Sequence, residues 1–114
     1  MNLEQLNAMT DLELDEAVAL ATGIEPLSDE VKAILESGFS SVKDEGYHPT
    51  ANTTAGKAQA FDLVVKYELD VSTNNGELTR VCVWKDFNII SDVFNTNVQR
   101  AICEAVILSA QEEG

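Results

Sequence analysis

From Thr10 onward, apolar residues fall at Leu14, Ala17, Val18 and Ala21, the i, i+3, i+4, i+7 spacing of one helix face. Thr10 and Glu13 make a capping box at its start, and Gly23 and Pro26 stop it. Ser28 caps a second, short helix with Asp29 and Glu30 in its first turn, a stripe of Val31, Ile34 and Leu35, and Gly38 at its end. Periodicity fails from Phe39 to Thr54, where Ser, Gly, Pro, Asn and Thr predict a long loop. A third helix is predicted from Ala55 to Tyr67, with Ala58, Phe61, Val64 and Val65 as its buried face.

The period then changes to two. Leu69 and Val71 alternate with polar residues, Asn75-Gly76 is a hairpin signal, and Leu78 to Trp84 forms the return strand. Val81 and Val83 fall on one face of that strand, and Arg80, Cys82 and Trp84 on the other. Lys85-Asp86 reads as a turn into a third strand, Phe87 to Phe94, with Phe87, Ile89, Ser91 and Val93 on one side. Thr96-Asn97-Val98-Gln99 reads as a second capping box, opening a closing helix whose core, Ala101 to Leu108, is apolar nearly all round. Such a helix is buried against a sheet and a neighbour, or in a dimer contact.

The fold class that follows is α+β: an α/β/α sandwich whose small antiparallel sheet of about three strands is covered by helices on both faces. The chain reads as a single domain, residues 1–114, with residues 24–54 set apart as an insertion-like stretch of short helix and long loop. Cys82, Trp84, Ile102 and Val106 are expected to be at least partly buried.

Charge narrows the chemistry. The 114 residues carry 20 Asp+Glu and 7 Lys+Arg, a net charge of −13. Residues 1–54 hold eleven acids and two bases, residues 55–114 nine acids and five bases. Such a field repels phosphate backbones and anionic bilayers, so neither direct nucleic-acid binding nor membrane binding is expected. No apolar run approaches a membrane span and the N-terminus lacks a basic, apolar leader, so a cytoplasmic location is expected.

Catalytic signals are weak. Cys82, Cys103 and His48 cannot supply four zinc ligands, and no third group orients a Cys–His pair. Gly56-Lys57 lacks the flanking Gly and Ser/Thr of a phosphate-binding loop, and Asp11 to Thr22 lacks the Gly and Glu of a calcium loop. No metal, cofactor or catalytic set is assigned. Two surfaces are. Tyr47, His48, Arg80, Trp84 and Lys85 form a candidate ligand surface, because an Arg beside an indole can grip a planar group. Asp11, Asp15, Glu16, Asp29, Glu30 and Glu36 form a candidate acidic surface for a basic partner.

Three segments carry a family likeness: Thr10 to Gly23; Tyr47-His48-Pro49 through Thr53-Thr54 with Ala58 to Tyr67; and Ala101 to Leu108. Together they resemble the small phage and prophage proteins of the NinX-like group, described as a phage α/β/α sandwich domain. Phe61 stands where that family usually has Trp. The resemblance implies a helix–sheet–helix sandwich in a phage-derived accessory protein and implies no activity. The function expected is therefore a non-enzymatic protein-binding module acting on a basic host or phage partner. The alternative is a protein that binds or sequesters a nucleotide-like small molecule. A homodimer would form through the closing helix or an edge strand.

Overall fold

A computed structural model describes residues 2–37, 46–73 and 78–113. The Gly38 helix stop, residues 39–45 of the long loop and the Asn75-Gly76 turn lie outside the described residues. The elements run α1 (Leu3–Asn7), α2 (Asp11–Thr22), α3 (Asp29–Glu36), α4 (Thr54–Lys66), β1 (Asp70–Ser72), β2 (Thr79–Lys85), β3 (Asn88–Asn95) and α5 (Val98–Glu113).

Local chemistry sets most helix ends. At α2 the Glu13 N–H donates to the Thr10 hydroxyl at 3.2 Å, and the Thr10 N–H donates to Glu13 Oε1 at 3.0 Å. Gly23 closes the helix at φ +77°, a left-handed value that a side chain would strain. Ser28 caps α3 by accepting from the Val31 N–H. The sequence pattern did not show α1, which has its own capping box between Asn2 and Gln5 and buries Leu6 completely. The cap of α5 is Asn97, one residue beyond the predicted Thr96. Its side-chain oxygen accepts from the Arg100 N–H at 3.0 Å.

The sheet has the order β1-β2-β3 and is antiparallel throughout. Val71, Val81 and Val93 pair in one row on the core side. The β2–β3 turn is Asp86-Phe87, with Lys85 opposite Asn88 and φ values of +52° and +68°. A register shift follows. Val83 faces Ser91 but Trp84 faces Ile89, so Ile90 is an extra residue bulged out of β3. The bulge corrects the predicted alternation: Val93 points to the core, whereas Ile89 shares the face of Trp84.

The core gathers Leu6, Leu14, Val18, Leu63, Val81, Val83 and Val93 around α5. Helix α5 packs on β2 and β3 with one side and on α2 and α4 with the other. Every residue from Ala101 to Ile107 is buried, as its apolar girdle requires. Inside the fold that girdle is used up, so this stretch of α5 is not free to make a dimer contact. It also explains the layer order. Because α5 needs cover all round, α2 and α4 stack on it rather than on the far side of the sheet. The described helices therefore lie on one face of an α+β fold, which corrects the expected helix cover of both faces: Arg80, Trp84 and Phe94 on the other face are exposed. Cys82, Ile102 and Val106 are buried as expected, and Trp84 is half-buried.

Candidate functional site

The loop from Gly46 to Thr53 is tied down by three helices. Asp15 of α2, only 1% exposed, accepts from the Thr50 N–H and the Thr50 hydroxyl, both at 2.9 Å. His48 Nδ1 also reaches Asp15 Oδ2. From α4, Gln59 Nε2 donates to the Gly46 carbonyl while its oxygen accepts from the His48 N–H. From α5, Gln99 Nε2 donates to the carbonyls of Pro49 and Ala51. Tyr47 packs against the core, and burial pushes its phenol well above its usual pKa. This anchoring corrects two assignments. Asp15 belongs to no acidic surface, because its carboxylate is consumed by Thr50 and His48. Tyr47 and His48 serve the loop behind α5 and do not join Arg80, Trp84 and Lys85.

Those three lie on or beside the sheet face away from the helices. Arg80 donates from Nε and Nη2 to the two oxygens of Asp92, each at 2.9 Å, and its guanidinium lies 5.6 Å from the centroid of the Phe94 ring. That bidentate bond raises the Arg80 pKa and lowers that of Asp92. Cys82, buried beneath the pair, donates its thiol to Asp92 Oδ1, and its pKa is raised first by burial and then by that bond. Trp84 Nε1 donates to Asp70 Oδ2 at 3.3 Å. Phe87 at the hairpin tip is 99% exposed, and Trp84 and Phe94 are about half exposed, at 50% and 48%. Together with Ile89 they make an apolar line on that face, flanked by Asp70 and Asp86 and interrupted before Phe94 by the Arg80–Asp92 pair. Sequence reasoning found Arg80 and Trp84 but missed Phe87 and Phe94. The signal for Phe87 was its place after Asp86 in a two-residue turn.

The remaining acidic residues are partly neutralised at home. Glu16 binds Lys32 at 2.8 Å, with Asp29 at 3.7 Å from the same ammonium. Asp11 binds Arg100 at 2.7 Å. Asp29, Glu30 and Glu36 are exposed. Among the described residues no group of three His, Cys, Asp or Glu side chains is placed to hold a metal ion. The Cys103 thiol is fully buried, and burial first, then the Asp15 carboxylate, holds its pKa well above normal, so thiolate chemistry is disfavoured there.

A third feature is an open cavity of about 720 Å³ between α4 and α5, with Thr50 and Asn52 of the anchored loop in its wall. Its lining includes Lys57, Phe61, Val64, Val71, Val98 and Ile102. None of the described helices is long and apolar enough to cross a membrane. No family model, curated protein or solved structure matches the chain.

Proposed function

We propose that this chain is a non-enzymatic protein-binding module that engages a basic partner through the open sheet face. The carrying observation is Phe87. A phenylalanine held at positive φ and wholly in water serves neither turn geometry nor solubility, since such turns favour Asn and Gly. It gains a use when a partner's pocket covers it. Trp84, Ile89 and Phe94 extend the same line, and large aromatics dominate interface energetics. The carboxylates of Asp70 and Asp86 beside it, with the net charge of −13, favour a basic protein and speed its encounter. A phage-derived, NinX-like origin is part of this proposal and rests on the three sequence segments alone.

The test is affinity capture with the wild type, Phe87→Ser and Trp84→Ser, followed by purification of the captured protein and direct binding. A basic protein bound by the wild type, weakened more than tenfold by Phe87→Ser and released by salt, supports the reading. Equal capture by all three chains overturns it.

A further inference from the structure

Helix α4 carries two apolar lines, and the fold covers only one. Gly56, Ala60 and Leu63 are buried, whereas Phe61 and Val65 are 64% and 62% exposed. The stripe predicted from the sequence, Ala58, Phe61, Val64 and Val65, is therefore largely the uncovered one. The reason lies at Gly56. A Cβ there would run into Ala51, backbone oxygen and side chain alike, and would come within 2.9 Å of the His48 carbonyl oxygen. Only the small-residue face can approach the anchored loop, so that face turns inward and Phe61 is left at the wall of the cavity.

The cavity has a direction. Helices α4 and α5 both begin beside the same loop, fastened by Gln99 to the Pro49 and Ala51 carbonyls. At that end stand Lys57, Asn52 and the cap and first turn of α5, Asn97 to Gln99. The positive end of the α5 dipole and Lys57 therefore both line this cavity. Farther along, the lining is Phe61, Val64, Val71 and Ile102. Lys57 and Val64 are separated by about 10 Å along the helix at 1.5 Å per residue.

Charge selects the occupant. The chain has 20 acids, yet among the described residues no Asp or Glu lines this cavity. Lys57 is also the one base among the described residues without a partner. Lys32 is on Glu16, Lys66 lies over the Tyr67 ring, Arg80 is on Asp92, Arg100 is on Asp11, and Lys85 is engaged as well. An unpaired cation at the polar end and an uncovered apolar wall match a molecule with one negative charge and a hydrocarbon body. The volume lies within the range of small-molecule sites, roughly 300–1,000 Å³. We propose that this cavity binds a small apolar carboxylate, with the carboxylate at Lys57 and the body along Phe61, Val64 and Ile102. A nucleotide, with several charges against a single cation in a strongly negative protein, fits the lining poorly. The site is separate from the open sheet face and does not depend on the proposed protein partner.

Isothermal titration of the full chain with decanoate, decan-1-ol and adenosine monophosphate tests the assignment, with circular dichroism to verify that each variant folds. Lys57 and Phe61 are both exposed, so Lys57→Gln, Lys57→Glu and Phe61→Ala should keep the fold. Decanoate is expected to bind and to raise the melting temperature of the wild type. Lys57→Gln should weaken decanoate about tenfold, as loss of one charge-assisted contact would, and leave decan-1-ol unchanged. Phe61→Ala should weaken both. Absence of decanoate binding, an unchanged affinity in both Lys57 variants, or adenosine monophosphate binding at least as tightly as decanoate overturns the proposal.

Discussion

Removing the Asp15 carboxylate would leave the Thr50 N–H, the Thr50 hydroxyl and the His48 ring without their shared acceptor. Because the carboxylate is buried, Asp15→Ala should destabilise the fold by about 1–3 kcal/mol for the donors left unsatisfied, measured by urea unfolding. Combined with Thr50→Val, the loss should fall well short of additive, since both changes break one network. Glu104 poses the opposite problem. It is fully buried on α5, its Oε1 accepts from Asn95 Nδ2 at 2.7 Å, and its Oε2 has no partner. Burial raises its pKa above the ordinary 4.5, outweighing the lowering influence of Asn95 and Arg100. The folded state therefore holds this proton more tightly than the unfolded chain does. Its stabilising contribution is complete below the ordinary value and is lost as pH rises through the raised one. Glu104→Gln should accordingly flatten the decline in stability as pH rises above the ordinary carboxylate value, read from denaturation midpoints across that rise.

Among the elements, the starts of α2 and α3 were legible because capping is local: Thr10 and Glu13, or Ser28 and Val31, lie three residues apart. The strands were legible from their period of two, and their antiparallel direction from connections too short for a crossover. The orientation of α4 was not. Two apolar lines compete on that helix, and the choice is made by a loop that must approach Gly56, which periodicity does not report. Gly56→Ala tests this directly. The added methyl must displace the turn at His48–Ala51, at a cost of about 1–3 kcal/mol in thermal or chemical unfolding. Asp15 was misread for a related reason. A carboxylate in the first turns of a helix looks like surface, and its partner Thr50 is 35 residues away. The candidate ligand surface was half legible. Arg80 and Trp84 share a strand face by simple alternation, but Tyr47 and His48 were joined to them only by residue type.

For the whole molecule, most described bases are committed to internal partners, so the field outside is that of unbalanced carboxylates. Self-repulsion destabilises the compact state and is screened by salt. Raising sodium chloride from about 0.02 M to about 0.5 M should raise the melting temperature, because the Debye length falls from about 20 Å to about 4 Å. A fall instead would mean that the Arg80–Asp92, Arg100–Asp11 and Lys32–Glu16 pairs outweigh the repulsion.

At high concentration the bulge at Ile90 takes on another meaning. In the described sheet β3 is an eight-residue edge strand, and a flat edge of that length is a template on which another chain can add a strand. The extra residue breaks the ladder between Val83 and Trp84 and strengthens the local twist, so no long regular row of N–H and C=O groups is offered. The misalignment that puts Ile89 beside Trp84 thus also makes β3 a poorer template for strand addition, while the aromatic tip stays exposed.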